Sequence, residues 1–336
     1  MIQLRLAAGD LERMRFDISP MAEVVQSGRM LSSGQGRAPY REWFAEARDR
    51  VRALDTQLLA LLLPDSPLIA DFLLARPGYA VSIDEYLRAI ADYPAERLRD
   101  DLLDMWPDRR PPQLAELLDD PGASRRVADV LYDYWTLLIE PHWRRIKAVV
   151  RDDVAYRATR LAAGGVDGML GDLHPELSVA DGTLFIDKPH HHIEHELNGA
   201  GLCLVPSVFS WPQLICSTQP DRPTDITYGC RAVATVWDGA PPLDDPLGAL
   251  LGRTRAGILR DLGRPRSTSD LAARLGHSMP AISQHLGVLR RGGMVTSWRT
   301  GRRVLYQRSA LATSMVAAND DITTDLTDVV VPFRPA

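Results

Sequence analysis

The segment Ser267–Ser309 reads STSDLAARLGHSMPAISQHLGVLRRGGMVTSWRTGRRVLYQRS, and its periodicity turns from helical to strand-like partway along. Ser267 to Asp270 has the form of a capping box: a hydroxyl and an acid three residues later satisfy amides that a helix start leaves orphaned. The short helix that follows stops at Gly276. The tight turn GHSMP leads to a second helix, with Ile282, Leu286 and Leu289 at i, i+4 and i+7 facing inward and Gly292-Gly293 closing it. Leu271 and Leu275 complete the expected core, and Ala272 is small enough to let the helices approach closely. MVTSW and RRVLYQRS then alternate in polarity around the three-residue loop RTG, which is a hairpin signal.

Helix, short turn, helix and a hairpin tipped with Arg299, Arg302 and Arg303 make a winged helix. Such a unit places its second helix in a major groove and its wing against phosphates or the minor groove. The charge distribution agrees. From Leu247 to Leu311 there are twelve arginines and two acids, Asp261 and Asp270, a net +10, whereas the whole 336-residue chain carries −5. A basic module on an acidic body is the footprint of a polyanion binder. The chain has only two lysines, so compositional bias explains the choice of arginine, but not the loss of acids from this one segment.

The pattern S-x-H-L-x-x-L-R-x-x-G-x-V is matched by Ser283, His285, Leu286, Leu289, Arg290, Gly293 and Val295. A second pattern, G-R-R-V-x-Y, is matched by Gly301, Arg302, Arg303, Val304 and Tyr306. Together they resemble the DNA-binding core of the ArsR type of bacterial winged-helix repressors, over about a fifth of the chain. The layout is similar to long members in which a large N-terminal domain precedes the winged helix. The resemblance implies a homodimer on a two-fold operator and, most often, repression. Carried over by position, Ser278, Met279, Ala281, Gln284 and His285 on helix 279–291 read base edges. Gln284 is suited to a bidentate contact with adenine. Ser283, Arg290, Arg291 and the wing 294–308, through Arg299, Arg302 and Arg303, contact the backbone or minor groove. His285 has a plainer reading, as a packing residue beside Leu286. The metal ligands that such regulators use are absent: DLAARLG has no cysteine and SALATSMVAAND has no histidine.

Upstream, IQLRL reads as a strand and Ser19-Pro20 as a helix start. Residues 41 to 176 are mostly helical by period; Trp43, Trp106, Trp135 and Trp143 read as core, and the Gly164-Gly165 pair as a helix end. From 177 to 240 short β-prone runs alternate with DG, NG and proline turns. Asp238–Pro246 is the best linker. The expected fold class is therefore α+β. A large, mainly helical N-terminal domain with a small antiparallel sheet (1–240, regulatory and dimerising) precedes a winged helix-turn-helix (245–311) and a flexible acidic tail (312–336). No apolar run approaches the ~20 residues that span a bilayer, and the N-terminus lacks the pattern of a secretion signal. Three cysteines without paired spacing fit a reducing cytoplasm, where a DNA-bound regulator is associated with the nucleoid.

Four of the eight histidines lie in HHHIEH, 190–195, where His191, Glu194 and His195 spell H-x-x-E-H, a zinc-peptidase signature. That motif needs a helix. The flanks, Pro189 and Asn198-Gly199, favour one arm of a β-hairpin, on which residues four apart stand ~13 Å from each other, too far to chelate one ion. His190 and His192 share the opposite face and remain the only metal candidates. Cys203, Cys216 and Cys230 lie in apolar runs and read as buried hydrophobes. No cofactor is expected, and neither a phosphate-binding loop nor a nucleophile elbow occurs. The leading function is a non-enzymatic transcriptional regulator with a possible small-molecule effector. The alternative is a metal-dependent hydrolase or other enzyme domain fused to a DNA-targeting module.

Overall fold

The computed structural model describes residues 1–320 apart from 35–37, 75–77, 79–80, 108–109, 189–191, 219–221, 238–245 and 302. The chain divides into two units, residues 1–238 and 239–330.

The first unit opens with β1 (Ile2–Arg5), α1 (Ala8–Glu12), β2 (Arg15–Phe16) and α2 (Pro20–Ser32). A helical layer follows: α3 (Arg41–Arg50), α4 (Thr56–Leu62), α5 (Asp71–Leu74), α6 (Ile83–Ala91), α7 (Ala95–Met105), α8 (Pro112–Leu118) and α9 (Ala123–Tyr134). A π-helical turn, Trp135–Ile139, then passes into the long α10 (Glu140–Leu170). Local chemistry sets the helix starts. The Ser19 hydroxyl accepts from the Ala22 amide at 3.1 Å with Pro20 in the first turn, and Ser82 with Glu85 forms a reciprocal capping box at the start of α6. The helix ends at Gly164-Gly165 as expected, where Gly165 (φ 65°, ψ −161°) is non-helical, and a second helical stretch then runs on to Leu170. Arg157, ahead of the break, donates to the Met169 carbonyl and to the Asp172 carboxylate beyond it, so both halves are tied to one guanidinium.

The β-rich stretch comprises β3 (Leu177–Ala180), β4 (Thr183–Ile186), β5 (Ile193–Glu196), β6 (Leu202–Ser207), β7 (Ile215–Ser217) and β8 (Thr224–Gly229). Instead of one antiparallel sheet it forms two mixed ones, each completed by an N-terminal strand. The first has the order β3-β4-β1-β5, and the second β2-β6-β8-β7. A hairpin does form between β3 and β4, turned by Asp181 (φ 49°) and Gly182 (φ 71°). However, β5 is not a hairpin arm. It runs parallel to β1, with Ile2 opposite Ile193, because β1 takes the place beside β4 and offers β5 its other edge. Arg5 then reaches Glu194 and Glu196 on the solvent side.

The helical core gathers Tyr40, Trp43, Tyr134 and Trp135, with Trp106 and Trp143 packed on it only half-buried. A second core under the sheets gathers Leu4, Leu184, Leu202, Ile226 and Tyr228. Asp153 of α10 stitches the sheet to this helix. It accepts from Tyr228 Oη at 2.7 Å and the Arg231 amide at 3.1 Å, and pairs with Arg157 Nε at 3.6 Å.

The second unit holds α11 (Pro246–Leu251), α12 (Arg253–Asp261), β9 (Arg266–Ser267), α13 (Thr268–Leu275), α14 (Met279–Arg291), β10 (Val295–Thr300), β11 (Arg303–Arg308) and α15 (Ala310–Asp320). Gly252 (φ 84°) separates α11 from α12, a conformation that costs glycine nothing. The tail is also corrected: α15 is folded, with Ala312 and Val316 buried in the core of this unit beside Ile258, Leu271, Leu286 and Val295. Residues 321–336 lie outside the described set.

Candidate nucleic-acid interface

α13 begins with the capping box foreseen at Ser267. The Ser267 hydroxyl accepts from the Asp270 amide at 3.2 Å, and the Asp270 carboxylate accepts from the Ser267 amide at 3.0 Å. Donation by the Ser267 hydroxyl and amide holds the Asp270 carboxyl below its ordinary range. Replacing Ser267 by Ala is expected to cost about 1–2 kcal/mol in urea denaturation; an unchanged midpoint would deny the cap its role. Gly276 ends the helix in the left-handed region (φ 67°), and Ser278 starts α14 by accepting from the Ala281 amide at 3.4 Å.

The inward stripe of α14 is Ile282, Leu286 and Leu289, all buried; of the other two expected core leucines, Leu271 is buried and Leu275 half-buried. This packing fixes the outward side. Met279 (57% exposed), Ser283, Gln284, Arg290 and Arg291 face solvent, whereas Ala281 and His285 are half-buried. Ser278 is exposed, but its hydroxyl is engaged as the cap. Beyond Gly293, β10 and β11 pair from Val295 opposite Arg308 to Thr300 opposite Arg303. Two positions therefore join the strands, one fewer than expected, and Gly301 supplies a φ of 59°. Arg299 and Arg303 are exposed, and Arg299 Nε donates to the Gly301 carbonyl at 3.3 Å. Arg302 lies outside the described residues. Arg290 reaches across to Ser297 Oγ at 3.4 Å, so the end of α14 touches the base of the wing.

Not every arginine in the basic segment is available. Asp261 holds Arg266 at 3.1 Å and Arg274 at 2.8 Å, and the hydrogen bond that it accepts from Arg274, together with its charge, keeps Arg274 above its ordinary value. Arg308 turns inward to the Leu259 carbonyl at 3.4 Å, and Arg255 to that of Leu251 at 3.4 Å. Among the described residues, the exposed cations on α14 and the wing are Arg290, Arg291, Arg299 and Arg303. Beside them stands Trp298, 40% exposed, which the sequence did not single out. Its place on the solvent face of an alternating strand was the available signal.

Residues 250–297 match a family described as a helix-turn-helix domain. The C-terminal unit thus carries a helix-turn-helix domain, followed by the paired strands of a wing. Residues 93–234 of the other unit match a family of unknown function, DUF5937. No curated protein matches the chain. Among solved structures, ZitR from Lactococcus lactis aligns at 23% identity over 21% of this chain and 57% of its own, with a TM-score of 0.20. HlyU from Vibrio cholerae aligns at 32% identity over 23% of this chain and 83% of its own, with a TM-score of 0.22, and so does the transcriptional regulator HlyU from Vibrio vulnificus. The chain thus spans just over half of ZitR and most of HlyU, and the likeness stays within about a quarter of its own length.

The other motifs fall elsewhere. His190 and His191 lie outside the described residues; His192 is exposed, and His195 sits on β5 opposite Leu4. A strand, not the helix that H-x-x-E-H requires, carries Glu194 and His195, and Glu194 is paired with Arg5. Cys203 and Cys230 are buried, and burial pushes the Cys216 thiol up to about 12, aided by the charge of Asp225. Among the described residues no three His, Cys, Asp or Glu side chains gather as a metal site, and no helix is long and apolar enough to cross a membrane.

Proposed function

We propose that the chain is a sequence-specific transcriptional regulator of the ArsR type, acting in the cytoplasm as a repressor and a homodimer. The observation that supports this best is the outward side of α14, where Gln284 is exposed between Ser283 and Arg290–Arg291, beside a wing that presents Arg299 and Arg303. In this reading α14 enters the major groove. Met279, Ala281, Gln284 and His285 meet base edges, with Ser278 completing the turn that aims them. Ser283, Arg290, Arg291, Arg299, Arg302 and Arg303 hold phosphates or the minor groove. The partner copy would meet α11 and α15, which pack side by side and leave Leu250 (70%) and Leu311 (56%) exposed. Exposed leucines on adjoining helices are the kind of surface that a second subunit covers. The 1–238 unit has no enzymatic role in this scheme; it would set the spacing of the two recognition helices and answer to an effector.

The test is a pair of anisotropy titrations, on a duplex enriched by selection from random sequence and on its scrambled counterpart. Gln284→Ala is expected to cost about 1–3 kcal/mol on the selected duplex and little on the scrambled one. Equal losses on both would remove Gln284 from base readout, and failure to enrich any sequence would defeat the regulator reading.

A further inference from the structure

In the 1–238 unit, α6 and α9 pack side by side. Ser124, at the start of α9, donates to the carbonyl of Tyr93 at 2.8 Å, just past the end of α6, so the two helices run antiparallel. Each lends one stripe to a shared groove: Asp84, Leu87, Arg88 and Ala91 on α6, and Arg125, Ala128, Asp129 and Tyr132 on α9. Both stripes have the spacing i, i+3, i+4 and i+7 that keeps residues on one helix face. Leu87 and Ala128 are buried and Ala91 is half-buried, so these three make the floor, and the short alanine side chains leave it hollow. The space measures about 390 Å³, within the range of pockets that take a small organic molecule.

The rim is balanced in charge. Asp84, Arg88, Arg125 and Asp129 are all exposed. Within each helix the acid and the base stand four residues apart, the spacing at which ion pairs close. Neither pair closes: among the described residues none of these four side chains makes a hydrogen bond or a salt bridge. Glu85, whose charge Arg88 also feels, is itself taken up by Ser82, accepting from its amide at 2.7 Å and its hydroxyl at 2.9 Å. The antiparallel order sets Arg88 and Asp129 on opposite walls near the middle of the groove. Tyr132 stands at one end, 49% exposed, more than any other large apolar or aromatic side chain described in this unit. Two cations and two anions give no net preference for an ion of either sign, and a neutral apolar molecule would cover the charges without pairing them. A zwitterion meets both signs, its carboxylate on a guanidinium and its ammonium on a carboxylate. An apolar side chain on that zwitterion covers the alanine floor and packs against the Tyr132 ring.

We propose that this groove binds a zwitterionic amino acid with a large apolar side chain, and that it is the effector site of the regulator. The effector role rests on the proposed DNA-binding function; the binding itself does not. Isothermal titration of the full chain without DNA tests the site with four probes. L-phenylalanine carries both charges and a ring, hydrocinnamate lacks the ammonium, phenethylammonium lacks the carboxylate, and glycine lacks the ring. L-phenylalanine is expected to bind about fivefold or more tightly than either singly charged probe, and about tenfold or more tightly than glycine. Arg88→Met/Arg125→Met is expected to erase its advantage over phenethylammonium, and Asp84→Asn/Asp129→Asn its advantage over hydrocinnamate. All four side chains are exposed, so the circular dichroism melts should stay near that of the unsubstituted protein. Four probes that bind alike would overturn the site even if a variant failed to fold, and so would double variants that keep the unsubstituted order of preference. Duplex titrations with and without saturating L-phenylalanine then test the effector role. A change in DNA affinity that Arg88→Met/Arg125→Met abolishes supports it, and an unchanged affinity with the amino acid bound overturns it. Absence of any duplex binding would defeat the regulator reading and the effector role with it, and leave the amino-acid site standing.

Discussion

In urea denaturation between pH 4.5 and pH 8, the unsubstituted protein is expected to lose stability as the pH rises, and Glu23→Gln to remove much of that loss. Glu23 of α2 is buried, and its carboxylate accepts from Ser207 Oγ at 2.9 Å and from the amides of Val208 and Phe209 at 2.8 and 3.2 Å. No cation is among these partners. Burial raises its pKa from the ordinary 4.5 to about 7, against the lowering effect of those three donors. Between these two values the folded state holds a proton that the unfolded chain has released, so raising the pH favours unfolding. The full effect is about 3 kcal/mol, at roughly 1.4 kcal/mol per tenfold in proton affinity. It is absent below pH 4.5 and complete above pH 7. The glutamine keeps an acceptor for the Val208 amide and does not titrate. Parallel stability profiles for the two proteins would mean that Glu23 does not hold its proton in the fold. Glu23→Ala is a harsher change: it strands two backbone amides and a hydroxyl in the core, at about 1–3 kcal/mol for each buried group.

The double substitution Arg299→Ala/Arg303→Ala is expected to weaken binding to every duplex, selected or scrambled, by about 10- to 100-fold near physiological salt. The two side chains are exposed on the paired strands of the wing, where a phosphate is the natural partner of a guanidinium. Their loss removes attraction that is blind to sequence, so the ratio between selected and scrambled duplexes should hold. This separates the wing from Gln284, whose loss should collapse that ratio. If the double variant bound both duplexes as the unsubstituted protein does, the wing would have no part in DNA binding. Lowered binding to the selected duplex alone would make these arginines base readers.

The winged helix was legible because its determinants are local. A capping box at Ser267, a left-handed Gly276, and Ile282, Leu286 and Leu289 at helical spacing all act within a few residues. What the sequence did not disclose depends on distant partners. β5 pairs in parallel with β1, which lies at the other end of the unit, and no pattern within HHHIEH records that. Beyond the break at Gly165, a second helical stretch is tied back to the first by Arg157, which donates to Met169 and Asp172, and the glycine pair by itself does not record that link. Helix α15 has few charges and a weak pattern, and it folds because Ala312 and Val316 find the core of the winged helix. In the interface the helix face was readable from period alone, but the division of the arginines was not. Arg266 and Arg274 look the same as Arg299 in sequence, and only the fold brings them to Asp261.

The most direct test of DNA binding through α14 and the wing is the affinity of the full chain for a fluorescent duplex, measured as a function of salt concentration. Log K is expected to fall linearly with log salt, with a slope of about −0.9 for each phosphate neutralised, and Arg299→Ala/Arg303→Ala to make that slope shallower by about 2. A duplex left unbound at low salt, or a slope that the double substitution leaves unchanged, would contradict DNA binding through this face.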